Sequence, residues 1–201
     1  MKITPRTGKA AFTLIELMAV ITIIVILAGL VVGGMGFVSE RQAKEKARVQ
    51  IALLSKALEE YKLDMGTYPP TTDNSSVAAP TGTATSSLLF KALYWDSDND
   101  GAGVPADTDQ KIYLPDLDPL TSKQGWTSTP PAPSAATIIV DPWGNQYCYR
   151  TAVDATGKAN SSTQNPDFDL WSMGKDGRSY WPVKRQAATA DLIANHKGRN
   201  P

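Results

Sequence analysis

Residues 17–38, LMAVITIIVILAGLVVGGMGFV, carry no charge, and this limits the fold more than any other feature of the chain. About 20 apolar residues, rising ~1.5 Å each in a helix, are enough to cross the hydrocarbon core of a bilayer. In front of the run lies MKITPRTGKAA, with Lys2, Arg6 and Lys9 and no acid. The positive-inside rule keeps such an end in the cytoplasm and sends the remainder across. One carboxylate, Glu16, stands at the head of the run. Lipid makes a charge costly there unless it is paired or snorkels to the headgroups.

A secretory signal peptide also has a basic head and an apolar middle. Its cleavage site should follow the run with small residues in an A-x-A arrangement, whereas this run ends in GGMGFVSERQAKEKA, rich in glycine and then in charge. A retained membrane helix is therefore the expectation. The 201 residues, 42% hydrophobic and 20% charged, leave room for one ordinary domain beside it. Twenty basic residues cancel twenty acidic ones, giving neither a nucleic-acid footprint nor a funnel for acidic substrates. The single cysteine, Cys148 in QYCYR, cannot form a disulfide within the chain and reads as a small core residue on a strand rather than a reactive thiol.

After the run, Ala43, Ala47, Ile51, Leu54, Leu58, Tyr61 and Met65 recur at steps of three or four, the stripe of an amphipathic helix. Residues 39–64 contain neither Pro nor Gly, and Gly66 with Pro69 and Pro70 supplies the stop. The two patterns join into one helix over residues 12–64, a rod of roughly 80 Å. Gly29, Gly33, Gly34 and Gly36 weaken it by about 1 kcal/mol each relative to Ala. Gly29 and Gly33 also form a GxxxG pair that lets helices approach closely. Beyond Pro70, TTDNSSVAAPTGTATSS reads as a surface loop, SLLFKALYW as a short helix, DSDNDGAGVPADTD as an acidic loop and TSTPPAPSAAT as a second loop. TIIVDPWGNQYCYRTAV reads as apolar run, turn and strand, PDFDLWSMG as a further strand, and Lys175, Asp176 and Gly177 as a turn. The expected fold is α+β, a long helix packed on a small antiparallel sheet.

Three stretches resemble the type IV pilin superfamily, and specifically the major pseudopilins of type II secretion systems. AFTLIEL at Ala11 is similar to the leader junction and helix start of prepilins; YKLDMGTYP at Tyr61, and DPWGNQY at Asp141 followed by DLWSMGKDG at Asp169, are similar to the pseudopilin body. The resemblance implies a pilin-like fold with a leader at 1–11, a transmembrane and assembly helix at 12–38, its amphipathic continuation at 39–66, and a periplasmic head with variable loops at 67–201. It implies cleavage by prepilin peptidase between Ala11 and Phe12 and methylation of the new Phe12 amine. The family nearly always has Gly where this chain has Ala11, and commonly a helix-breaking Pro where this chain has Gly33. The implied partners are copies of the same subunit, minor pseudopilins and the inner-membrane assembly platform. Glu16 of one subunit would neutralise the Phe12 amine of its neighbour; the alternative is an interfacial carboxylate at the headgroups.

Two places suggest calcium. The resemblance implies a structural calcium site after the second strand, with Asp176 offering a side chain, Met173 and Arg178 backbone carbonyls, and Asp191 a later carboxylate, although YWPVKRQAA makes this loop long and basic. Independently of any family, Asp96, Asp98 and Asp100 alternate, Gly101 stands sixth and Asp107 twelfth, the acidic spacing of an EF-hand-like loop with Asp in place of the final Glu. A solvated acidic loop is the plainer reading.

A structural role in a secretion pseudopilus is the leading expectation. A type IV pilin for adhesion, motility or DNA uptake is the near alternative, and a calcium-dependent binding module on a membrane anchor is a third. A membrane-anchored hydrolase would need a nucleophile and base within reach, and the sequence offers one histidine, His196, and no GxSxG, HExxH or paired-Cys motif. Intact mass of the chain extracted from membranes is expected to correspond to methylated Phe12 at the amino terminus; a mass retaining MKITPRTGKAA would refute that processing.

Overall fold

The structure is a computed structural model that describes residues 12–71, 84–104, 109–120, 125–128, 134–160, 163–178 and 193–194, with the backbone alone at 32–37, 84 and 193–194. The leader with Ala11, as well as Asp107, Asp191 and His196, lies outside the described residues.

Helix α1 runs Leu14–Met65, passing through all four glycines without interruption. Its start is set by Thr13 and Glu16. Its end is set by Gly66, whose φ of +78° is the left-handed conformation favoured just past a helix. The Gly66 N–H reaches back to the Lys62 carbonyl at 2.8 Å. Glu16 in the first turn and Lys62 in the last both complement the helix dipole.

The chain forms two compact units, Met1–Gln42 and Ala43–Pro201, so the division falls inside α1. In the first unit, the Leu14–Val31 segment is long and apolar enough to span a membrane and buries none of that surface within the protein. Ile15, Met18, Ile21, Val25 and Leu30 are all more than half exposed.

In the second unit the stripe on α1 becomes a core. Ala47, Ile51, Leu54 and Leu58 are buried and cluster with Leu89 and Leu93, Leu117, Trp126, Ile139, Tyr147, Tyr149 and Leu170. Two departures mark the limits of the periodic reading. Met65 is exposed, because the helix stops before another turn can cover it, and Gln50 is buried, because its side-chain oxygen accepts the Tyr147 hydroxyl at 2.7 Å.

A short helix α2, Ala84–Phe90, continues into a wider π-helical turn at Lys91–Trp95. It begins inside the stretch expected as loop, since Thr85 and Ser86 are buried and Ser86 has structural work. The Ser86 hydroxyl donates to the Ile139 carbonyl at 2.7 Å and accepts the Ile139 N–H at 2.8 Å, standing in for a neighbouring strand. The apolar run around Ile139 is accordingly held by isolated bridges, Thr127 to Ile139 and Val140 to Gln146, rather than by a long ladder. Strands β1, Tyr147–Thr151, β2, Phe168–Ser172, and β3, Ile193–Ala194, form an antiparallel sheet in that order. In β1 and β2, Tyr147 lies opposite Ser172, Cys148 opposite Trp171 and Arg150 opposite Asp169. Tyr147 and Tyr149 face the main core, while Cys148 and Trp171 pack together on the other face.

Leu54→Ala should lower the unfolding free energy by about 2–5 kcal/mol, the usual cost of a buried leucine cavity, whereas Val49→Ala, on the exposed side of the same helix, should change it by less than about 0.5 kcal/mol. Denaturant melts of the detergent-solubilised chain followed by tryptophan emission would compare the two.

Candidate functional site

At the head of α1, Thr13 and Glu16 form a reciprocal cap. The Thr13 hydroxyl accepts the Glu16 N–H at 3.3 Å, and the Glu16 Oε2 accepts both the Thr13 N–H at 2.9 Å and the Thr13 hydroxyl at 2.8 Å. This is the capping-box arrangement of a Thr three residues before a Glu. Both donors use one carboxylate oxygen. The second makes no hydrogen bond among the described residues; Glu16 is exposed, as is Phe12 at 83%. Sequence reasoning missed the cap, although T-x-x-E ahead of an apolar run was its signal.

The three body motifs meet in the second unit. Asp141, the first residue of DPWGN, is buried and accepts the Trp143 N–H at 3.0 Å, the Asn145 N–H at 2.8 Å and the Ser172 hydroxyl at 2.6 Å. Ser172 in turn accepts the Gly174 N–H at 2.9 Å, and the Asn145 amide donates to the Gly174 carbonyl at 2.6 Å. The turn before β1 is thus fastened to the turn after β2. Burial raises the Asp141 pKa from its ordinary value, while its hydrogen-bond donors oppose the rise.

YKLDMGTYP closes the same sheet from the helix side. Tyr68 donates to Glu59 at 2.9 Å and packs edge-on against Phe168; Lys62 reaches Asp167 at 3.3 Å; and the Tyr149 hydroxyl donates to the Pro69 carbonyl at 3.1 Å. Burial, with the nearby Asp141 charge, pushes the Cys148 thiol up to about 12. It therefore stays protonated and inert in the fold.

These geometries agree with what comparison finds. Residues 37–94 match the family described as Type II secretion system (T2SS), protein G, and residues 6–32 match the prokaryotic N-terminal methylation motif. The Type II secretion system core protein G of Escherichia coli (strain K12) is 32% identical over 171 residues, covering 84% of this chain and 83% of that protein. The chain belongs to the type II secretion protein G family. The protein of the same name from Pseudomonas aeruginosa is 30% identical over 175 residues, 86% of this chain and 88% of the relative. That from Vibrio cholerae is 28% identical over 177 residues, 88% of this chain and 86% of the relative.

The loop that this family resemblance links with calcium is described only in part. Met173 is half-buried against Cys148 and Trp171, the Asp176 carboxylate accepts the Arg178 N–H at 3.1 Å, and Asp191 lies outside the described residues. The set is all oxygen, as a hard cation prefers; its described members bring one carboxylate and two backbone carbonyls where calcium wants six to eight oxygens in total. The acidic loop is described through Asp96, Asp98 and Asp100, one ligand oxygen from each lying within 4.8 Å of the others; Asp107 lies outside the described residues.

Asp141→Ala should destabilise the second unit by about 2–4 kcal/mol, because it leaves two part-buried N–H groups and the buried Ser172 hydroxyl without their acceptor. Thermal unfolding of the variant against wild type in the same detergent would measure the loss.

Proposed function

We propose that this chain is a structural subunit of a type II secretion pseudopilus, in which copies polymerise through their amino-terminal helices to drive folded proteins across the outer membrane. Membership of the protein G family supports this, and the observation that carries it is the helix head. The Leu14–Val31 surface is uncovered by the protein's own fold, and at its tip an exposed carboxylate uses one oxygen in the cap and makes no hydrogen bond with the other among the described residues.

Before assembly the helix crosses the inner membrane once, with Lys2, Arg6 and Lys9 on the cytoplasmic side and the second unit in the periplasm. Prepilin peptidase cuts between Ala11 and Phe12, and the new Phe12 amine is methylated. When a subunit joins the fibre from the assembly platform, Glu16 takes the Phe12 amine of its neighbour as counterion. An unpaired charge in the bilayer costs several kcal/mol, so pairing favours one staggered register over others. The subunit works by polymerising rather than by catalysis. Minor pseudopilins are expected at the same fibre. A surface type IV pilin is the less favoured role, since the family match is to a secretion-system protein.

Glu16→Ala is expected to cut the crosslinked multimer ladder and enzyme secretion at least tenfold, with the protein still inserted in the membrane. Thr13→Val, which removes the hydroxyl half of the cap but keeps the carboxylate, is expected to retain most of both. Normal fibres from Glu16→Ala would overturn the pairing; crosslinking in whole cells and assay of secreted protein are the readouts.

A further inference from the structure

The acidic loop differs from an ordinary solvated charge run in one residue. Asp96 is 3% exposed, whereas Asp98 and Asp100 are exposed. Its Oδ2 accepts the Gly101 N–H at 3.2 Å and lies 3.2 Å from the Lys91 ammonium. Its Oδ1 is buried with no hydrogen-bond partner. Buried carboxylate oxygens almost always have a donor, and one left over calls for an explanation such as an ion.

The surroundings supply the rest of such a site. The ligand oxygens of Asp96, Asp98 and Asp100 converge within 4.8 Å of one another, a spread that a calcium ion with oxygens at about 2.3–2.6 Å can bridge. Asp98 and Asp100 each use one oxygen on a nearby backbone N–H, of Asp100 at 3.4 Å and Ala102 at 2.7 Å; neither makes a further hydrogen bond among the described residues. Lys91 pairs with Asp96 and also donates to the Asn99 side chain at 2.6 Å, so among the ion pairs of the described residues one ammonium stands against three carboxylates and the cluster keeps net negative charge. Gly101, at φ +94°, makes the sharp turn that folds the alternate carboxylates toward one point.

Hydrogen bonds tie residues 95 and 97 to residues 104, 110 and 111. The Trp95 carbonyl accepts both the Val104 N–H at 3.1 Å and the Gln110 side-chain amide at 2.9 Å, and Ser97 bonds Gln110 at 2.8 Å and the Lys111 carbonyl at 2.8 Å. Gly103 lies against the Trp95 indole so closely that any side chain there would collide with the ring.

We propose that residues 96–101 form a divalent-cation site, with buried Asp96 as its anchor and Asp98 and Asp100 as its outer ligands, that takes calcium in preference to magnesium. The site is distinct from the loop around Asp176. Magnesium demands a near-ideal octahedron at short distances and sheds its waters reluctantly, whereas calcium tolerates an irregular shell completed by carbonyls and water. Binding would fasten the end of the π-helical turn to the loop that follows it.

The test is calorimetric titration of calcium chloride into the chelator-treated full-length chain in detergent, repeated with magnesium, and with terbium as a luminescent stand-in that Trp95, next to Asp96, can sensitise. The expected result is saturable calcium binding with magnesium at least roughly tenfold weaker, and sensitised terbium emission that calcium quenches. D98N/D100N, two substitutions on exposed side chains that should leave the fold intact by circular dichroism, should weaken calcium roughly tenfold or more, while D176N should leave the terbium signal unchanged. Absence of binding at millimolar calcium, equal affinity for magnesium, or calcium binding that D98N/D100N leaves within twofold of wild type would overturn the proposal. Because none of these readouts depends on polymerisation or secretion, the result stands apart from the role proposed for the helix.

Discussion

Apolar surface along Leu14–Val31 must be buried by something other than this chain's own fold, and the requirement runs through the whole molecule. No charged side chain after Glu16 interrupts that segment, and the folded protein covers none of it. At roughly 25 cal/mol per Å² of apolar area, a helix left bare in water would be a strong drive to aggregate. In the role proposed here, lipid would meet the requirement for a single subunit, and other helices of the same kind would meet it in a fibre. A transfer from lipid to a helical bundle gains little from hydrophobicity itself, because both surroundings are apolar. Specificity between those two states therefore has to come from the few polar atoms on the segment, and Glu16 is the charged one.

The second unit solves a different problem, that of fixing a small sheet with few strands. A two-stranded pair such as β1–β2 is marginal alone, and a sheet this small needs a hydrophobic face or a helix packed on it. Here the turns on either side of the β1–β2 pair are fastened through Asp141, Asn145, Ser172 and Gly174, and the end of α1 is fastened to the same pair through Tyr68, Lys62 and Pro69. Side-chain hydrogen bonds do here what further strands would do in a larger sheet. The buried Asp141 carboxylate tolerates its burial because three donors converge on it, which opposes the cost of desolvation.

Much of this was legible before the structure, for identifiable reasons. The α1 stripe could be read because leucine, isoleucine and alanine at helical spacing admit one arrangement, and the strands β1 and β2 because aromatic-rich runs lie between turn residues. Family resemblance then pointed at Asp141 and Asp169 as members of motifs, without saying what they touch. What escaped was cooperative and polar. Gln50 is buried because a tyrosine distant in sequence needs an acceptor, and Ser86 is helical and buried because it replaces a strand neighbour of Ile139. Neither fact has a local signature. The cap at Thr13 did have one and was overlooked, since the cost of a charge in lipid drew the reading of Glu16 toward partners in other subunits. In the acidic loop the spacing was plain, but the difference between buried Asp96 and exposed Asp98 emerges only once Trp95 and Lys91 are placed.

The atoms of the cap at the helix head belong to Thr13 and Glu16, all downstream of the bond between Ala11 and Phe12. Starting a helix is the costly step in forming one, because several residues must be fixed before hydrogen bonds accumulate. With this cap on the carboxyl-terminal side of the proposed cut, removing residues 1–11 would leave the Thr13–Glu16 start signal of α1 in place. The cleavage proposed between Ala11 and Phe12 would then alter the charge at the tip without requiring the helix to form anew. In the role proposed here, maturation would be a change of chemistry at a terminus whose geometry is already set, and the same helix would serve the precursor and the polymerising subunit.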